Sequence, residues 1–226
     1  MVDEFKSKEE IDEYLANIEI EYRYSCEREK NVEGCNHLGE FYFAVKNNVQ
    51  KSFDVHLKNC EELKSGFSCF KVAKFLSQDN EGNGPEKNLE KAIDYNTRAC
   101  DLGFDIGCFN AGVVLLENCK QLNESIWLQA RSLFNRACRK DAPKGCLYSM
   151  EMACGGYEER HVDYPKCLTF AERACKEGNY VKACGIAYQL HLSNEEGITY
   201  DEGKAEAIKK FAEKIKREET EQYGFG

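Results

Sequence analysis

Small and apolar residues recur along the chain at a helical spacing that ends at a cysteine. Before Cys100 they are Ala92, Tyr95 and Ala99, which lie eight, five and one residues upstream. Residues with this spacing lie on one face of an α-helix. A small residue eight positions upstream and an apolar residue five positions upstream also precede the cysteines at 60, 138 and 175. The pattern predicts helices that pack through this face and end at the cysteine.

A second apolar stripe begins at the cysteine that follows. Cys108, for example, leads into Ala111 and Val113. The alternation predicts an all-α chain in which helices come in pairs, preceded by an N-terminal helix within 1–26 that opens with the capping box Ser7 and Glu10. We predict a single domain spanning 1–226 that ends in a short tail, 220–226. The five helix pairs are placed at residues 35–60, 69–100, 108–138, 146–175 and 184–219.

Ten of the thirteen cysteines form close pairs that repeat along the chain. The members of a pair are eight or nine residues apart, and successive pairs follow at steps of 34 to 40 residues. A period of this length indicates a repeat protein. Each pair spans the end of one helix pair and the start of the next, so a disulfide within it would tie neighbouring repeats together. The pairs are Cys26 and Cys35, Cys60 and Cys69, Cys100 and Cys108, Cys138 and Cys146, and Cys175 and Cys184.

Composition narrows the class of protein. The 226 residues are 42% hydrophobic and 31% charged, which is typical of a soluble globular protein. The net charge of −9 argues against a nucleic-acid partner, because phosphate binding needs a positive surface. We find no apolar run of the roughly 18 residues that a membrane span needs, and the acidic N-terminus does not resemble a secretory signal. Thirteen cysteines are unusual in such a chain, because disulfides are typical of secreted proteins.

The helix pairs resemble the Sel-1-like repeat family. The small residues expected where the helices of a pair meet are Gly39, Ala73 and Gly112 on first helices, and Ala92 and Ala130 on second helices. Members of this family are right-handed α/α solenoids that act as scaffolds for protein complexes. The resemblance therefore implies such a solenoid of about five repeats, which would bind partners along an extended concave face. Met150 stands where a small residue is expected, so we expect the fourth repeat to pack differently.

Within the family, the cysteine pattern is similar to that of mitochondrial factors that assist respiratory-chain assembly. The features that carry this likeness are Cys26-x8-Cys35, Cys167-x7-Cys175-x8-Cys184 and the closing Phe225-Gly226. The resemblance implies a disulfide within each cysteine pair and residence in the mitochondrial intermembrane space. It also implies import by the oxidative-folding machinery of that compartment. The implied partners are assembly intermediates of respiratory complexes, most directly of cytochrome c oxidase.

Three cysteines lie outside the repeating pairs and are candidate free thiols: Cys119, Cys154 and Cys167. A bridge between Cys154 and Cys167 is the alternative, since both flank the link inside the fourth repeat. The sequence has no Cys-x-x-Cys, which a thioredoxin-type redox site requires. We therefore assign no catalytic residue.

Zinc ligands could come from Cys35-x-His37 or from His56-x-x-x-Cys60, but close cysteine pairs of the usual kind are absent. We expect both cysteines to be in disulfides and assign no metal site. Ser68 and Lys71 match Ser-x-x-Lys, but the Ser-Asp-Asn and Lys-Thr-Gly motifs of penicillin-binding enzymes are missing. Ser68 is interpreted as a small packing residue.

Haem is the cofactor that stays open. The sequence lacks Cys-x-x-Cys-His, so covalent c-type haem is not indicated. Noncovalent ligation by a free cysteine or by one of the four histidines, His37, His56, His161 and His191, is an alternative. The leading hypothesis is a non-enzymatic scaffold that needs no cofactor. The alternatives are a haem-binding thiol–disulfide oxidoreductase, a haem chaperone in complex IV assembly, and a cytosolic adaptor with reduced thiols.

Overall fold

A computed structural model describes residues 7–138, 143–157 and 162–223. His161 and the end of the predicted tail, 224–226, lie outside the described residues. The helices of the described part, in chain order, are α1 (Lys8–Glu27), α2 (Val32–Ala44), α3 (Val49–Glu62), α4 (Gly66–Ser77), α5 (Leu89–Asp101), α6 (Asp105–Asn118), α7 (Glu124–Ala137), α8 (Pro143–Gly155), α9 (Tyr164–Gly178), α10 (Val181–His191) and α11 (Glu202–Tyr223).

The helices follow the predicted pairs, from α2 with α3 to α10 with α11. Side chains at the N-caps explain where many of them begin. Ser7 and Glu10 form the predicted capping box of α1. Asn31 caps α2 and Asn123 caps α7, each through its side-chain oxygen. Because Asn31 supplies this cap, α2 begins three residues before the predicted start at Cys35.

The repeating cysteines have fixed places in the helices. The second member of each pair is the fourth residue of a first helix, as Cys69 is in α4 and Cys184 is in α10. The first member lies at the end of the helix before it. Cys60 is in the last turn of α3, and Cys138 is the C-cap of α7. The periodic cysteines therefore mark the junctions between helix pairs.

The chain falls into two compact units, residues 1–107 and 108–226. In the first unit, buried clusters centre on Leu38 beside α1 and on Val72 with Ala92 between α4 and α5. In the second unit, they centre on Phe134 and on Met150 with Ala171. The prediction of a single domain over 1–226 stays a prediction.

Within repeats, a small residue on one helix faces a larger residue on the other. A Cβ on Gly39 would overlap the imidazole of His56, and a Cβ on Gly112 would overlap the ring of Phe134. The fourth repeat exchanges the sizes, because Met150 of α8 and Ala171 of α9 occupy the equivalent positions, both fully buried in one cluster. Filling the same volume from the opposite helix explains why a methionine replaces the expected small residue.

No described helix is both long enough and apolar enough to cross a membrane.

Candidate functional site

Disulfides tie together the junctions between helix pairs. Each joins the end of one helix to the fourth residue of the helix after the junction, with Cα atoms 4.2 to 4.8 Å apart. Closing such a loop contributes roughly 2.5 kcal/mol in the chain-entropy model. The junction disulfides are Cys26–Cys35, Cys60–Cys69, Cys138–Cys146 and Cys175–Cys184. Cys100 and Cys108 are also disulfide-bonded.

Cys154 and Cys167, two of the three candidate free thiols, are instead joined to each other. Their Cα atoms are 5.1 Å apart, between the end of α8 and the first residues of α9. Cys154 takes the position of Phe43 and Leu116 in the first and third repeats, and Cys167 takes the position of Ala130. The disulfide joins the two helices inside the fourth repeat. Assigning both as free thiols is wrong, and the bridge that was the alternative is correct.

Cys119 is the free cysteine, and it is half-buried after the end of α6. Its thiol donates a hydrogen bond to the carbonyl of Leu116, 3.0 Å away. Twelve of the thirteen cysteines are therefore oxidised. Thiolates of Cys35 and Cys60 are not available as zinc ligands, because both residues are in disulfides. Among the described residues, no group of three or more His, Cys, Asp or Glu side chains is placed to hold a metal.

A polar cluster lies inside the first unit, between α2, α3 and α4. His56 is fully buried, with Nδ1 2.9 Å from Ser68 Oγ and Nε2 3.3 Å from Glu40 Oε1. Glu40 is part-exposed and accepts from Lys71 Nζ at 2.7 Å. The contacts therefore run from Ser68 in the interior through His56 and Glu40 to Lys71 at the surface.

Two asparagine amides complete this buried cluster. Asn59 Nδ2 lies 2.9 Å from both Asn36 Oδ1 and Ser68 Oγ, and 3.1 Å from the carbonyl of Val32. Ser68 Oγ is 2.8 Å from Asn36 Oδ1. The single Ser68 hydroxyl proton is given either to Asn36 Oδ1 or to His56 Nδ1. The cluster links three helices through side chains that are 9 to 32 residues apart in sequence.

Burial and hydrogen bonding together set the protonation states of His56 and Glu40. Burial lowers the pKa of His56, and this outweighs the opposing hydrogen bond and attraction of Glu40. The hydrogen bond from His56, helped by Lys71, lowers the pKa of Glu40 to about 2. At neutral pH the imidazole is therefore neutral and the carboxylate charged, with His56 Nε2–H donating to Glu40.

The order serine, histidine, carboxylate is that of a hydrolase triad, but the location does not suit catalysis. Ser68 is fully buried, so its hydroxyl cannot reach a substrate. Lys71 Nζ is paired with Glu40 and lies 5.2 Å from the ring centre of Phe67. The cluster can hold helices in register, and this agrees with reading Ser68 as a packing residue.

The other described histidines differ in how open they are to a ligand. His191 is buried and its Nε2 lies 2.7 Å from Glu172 Oε1. Haem ligation through Nε2 of His56 or His191 would require these contacts with Glu40 and Glu172 to break. His37 is exposed, and its ring lies against Tyr22 with centroids 5.3 Å apart.

Comparisons with known proteins agree with the repeat pattern. No family model matches the chain. It is 27% identical to cytochrome c oxidase assembly factor 7 of Xenopus tropicalis over 99% of this chain and 97% of that protein. It is 23% identical to the cytochrome c oxidase assembly factor 7 homolog of Drosophila melanogaster over 99% of this chain and 95% of that protein.

Solved structures show the same fold. A Sel1 repeat protein from Oxalobacter formigenes matches with a TM-score of 0.67 and 16% identity, covering 91% of this chain and 83% of that one. A protective antigen of uropathogenic Escherichia coli strains, with an SLR fold, matches with a TM-score of 0.65 and 17% identity, covering 92% of this chain and 42% of that one. The predicted fold class is confirmed: the described part of the chain is all-helical, its fold is that of the solved Sel1-repeat structures, and disulfides join its helices. Over 99% of its length the sequence is similar to proteins named cytochrome c oxidase assembly factor 7.

Proposed function

We propose that this chain is a non-enzymatic protein scaffold that assists the assembly of mitochondrial respiratory-chain complexes, cytochrome c oxidase first among them. The observation that carries the proposal is the resemblance to assembly factors over 99% of the chain. Such likeness extends through every helix pair and is not confined to one motif. The partners are then assembly intermediates, which are proteins.

The chemistry of the described side chains supports a binding role. The cysteines of five disulfides are held at the junctions or inside the fourth repeat. The serine and histidine with triad-like contacts, Ser68 and His56, are inside the core. What the fold presents to other molecules is the surface of its helices, which is how repeat proteins bind partners.

The oxidised cysteines support residence in the mitochondrial intermembrane space. Disulfides form and persist in oxidising compartments, whereas cytosolic thiols are kept reduced. Twelve oxidised cysteines therefore favour a compartment with an oxidative-folding system. In this proposal, that system is also the partner that imports the protein. A cytosolic adaptor would keep these thiols reduced.

The proposal is tested by deleting the gene in the organism that carries it. We expect fully assembled cytochrome c oxidase to fall on native gels and the haem absorption of the oxidase to fall with it. Expression of the chain should restore the assembled oxidase and its haem absorption. The control variant Lys144→Glu, which changes an exposed surface residue, should restore them equally well. In the same cells, the protein should become protease-sensitive when the outer mitochondrial membrane is ruptured. Normal oxidase levels after deletion would contradict the assembly role, and continued protection would contradict the compartment.

A further inference from the structure

Two neighbouring grooves in the second unit have an unusual charge. The first is a shallow, open groove of about 500 Å³ along α7, closed on one side by Lys166 of α9, and its charged lining residues are Arg131, Arg136 and Lys166. The second lies between α9 and α11, encloses about 460 Å³, and has Lys176 and Lys204 facing Glu172. We call them together the α7–α9–α11 grooves. Five of their six charged lining residues are cationic, in a chain whose net charge is −9. Three acids at the grooves, Asp163, Glu172 and Asp201, pair with four of these five cations, so cations still outnumber the acids beside them.

Grooves in the first unit lack this excess. The charged residues lining a groove beside α1 are Glu21 and Glu29. A smaller pocket between α1, α2 and α3 is lined by two glutamates and two lysines. The positive lining is therefore a local feature of the second unit and does not follow from the composition of the chain.

The lysines of the α7–α9–α11 grooves are accessible and weakly held. The side chains of Lys166, Lys176 and Lys204 are 59%, 61% and 65% exposed. Each pairs with an acid three or four residues away on its own helix end: Asp163 at 2.6 Å, Glu172 at 3.9 Å and Asp201 at 3.5 Å. Exposed pairs of this kind contribute little to stability, so an incoming carboxylate can compete with the local partner.

Apolar side chains accompany the charges. Leu128, on the α7 wall, is 44% exposed. Ile208 and Phe211 line the groove between α9 and α11, and Ile208 is only 5% exposed. An apolar floor beneath a cationic rim suits a ligand that carries acidic groups and projects apolar side chains into a recess.

From this charge and shape we infer that the α7–α9–α11 grooves bind an acidic protein segment carrying large apolar side chains. The recessed position of Ile208 favours a peptide over a membrane surface, because a flat bilayer cannot reach a groove floor whereas a single side chain can. The inference rests on the proposed function only in taking the partner to be a protein.

The test uses the full-length oxidised protein and a fluorescein-labelled peptide of four Glu-Glu-Leu repeats, followed by fluorescence anisotropy. We expect binding that weakens as salt rises and that falls at least about tenfold in the triple variant Lys166→Glu, Lys176→Glu, Lys204→Glu. The matched control is Lys74→Glu, Lys144→Glu, Lys182→Glu, which makes the same charge change on exposed positions of first helices outside the grooves. It should change affinity less than about twofold. A Gln-Gln-Leu peptide should bind weakly to all three proteins.

Equal loss of affinity in the two triple variants would overturn the inference, because the effect would then be one of total charge. Binding to phosphatidylserine vesicles without binding to the peptide would overturn it in favour of a membrane. Self-association by sedimentation that only the groove variant loses would overturn it in favour of a second copy. Circular dichroism is used to check that each variant is folded. Because the assay uses purified protein, its failure is distinct from a failure to restore cytochrome c oxidase in cells.

Discussion

At the scale of single residues, the cluster around His56 shows what a buried polar group requires. His56, Asn59 and Ser68 are each at most 1% exposed. Their hydrogen bonds connect three helices, so no member can be lost without leaving another polar atom short of a partner. Asn59 Oδ1 is buried without a hydrogen-bond partner, so the cluster contributes to stability through the hydrogen bonds that its other polar atoms share.

Replacing Ser68 by alanine removes a partner from His56, Asn59 and Asn36 together. We expect the free energy of unfolding of Ser68→Ala to fall by about 1–3 kcal/mol, measured by urea denaturation of the oxidised protein. The control is Ser132→Ala, which removes a hydroxyl from an exposed position of α7 and should change stability by less than about 0.5 kcal/mol. Equal effects of the two substitutions would contradict the role given to the cluster.

The same cluster predicts how stability depends on pH. The folded pKa of His56 lies below its usual 6.5, so folding disfavours the charged imidazole, and stability falls as the pH drops below 6.5. Glu40 has a folded pKa of about 2 against a usual 4.5, so its contribution is present above 4.5 and is lost as the pH falls towards 2. Both effects reduce stability on acidification.

The measurement is the urea midpoint between pH 7.5 and pH 4.5. We expect it to fall with pH in the unmodified protein and to fall less between pH 6.5 and pH 5 in His56→Gln, which has no group that titrates there. An unchanged slope in this variant would show that other groups cause the acid sensitivity. The control variant is His191→Gln, which replaces the other buried histidine in the same way.

At the scale of helices, close packing depends on paired sizes across each repeat. The glycines Gly39 and Gly185 both lie in first helices, yet only Gly39 meets a neighbour. A Cβ at Gly39 would overlap His56, whereas a Cβ at Gly185 would meet nothing within 4 Å. Alanine substitutions at these two glycines therefore separate the effect of side-chain packing from the effect of helix propensity.

We expect Gly39→Ala to lower the free energy of unfolding by about 1–3 kcal/mol, because the ring of His56 must move and its hydrogen bonds with it. Gly185→Ala should raise it by up to about 1 kcal/mol, since alanine favours the helix and nothing is displaced. Denaturation of both variants beside the parent protein measures the difference. A stabilising effect at Gly39 would contradict the packing described here.

Helix positions could be predicted from the sequence because they depend on local spacing. The helix cap at Ser7 and the cysteines at the junctions can each be recognised from residues that are close together in the sequence. The helix pairs follow from these features. The fourth repeat shows the limit of local spacing. Met150 could be recognised as unusually large for its position, but the compensating small residue, Ala171, could not be identified because it lies on another helix. The buried cluster was missed for the same reason, since Asn36 and Ser68 are 32 residues apart.

At the scale of the whole chain, the distribution of cysteines bears on both the fold and the proposed compartment. The ten periodic cysteines could be separated from the other three by period alone. The sequence could not decide whether Cys154 and Cys167 pair, because that depends on how closely α8 and α9 approach. The charge of the grooves in the second unit could not be predicted either, since the chain as a whole is acidic.

The central claim is that disulfides join successive helix pairs and leave one thiol free. The direct measurement is the mass shift on alkylation of denatured protein from its native compartment, before and after reduction, followed by peptide mapping. We expect one alkylated cysteine before reduction, at Cys119, and thirteen after it. Three alkylated cysteines, with Cys154 and Cys167 among them, would contradict the bridge within the fourth repeat. Thirteen before reduction would contradict both the oxidised fold and the oxidising compartment.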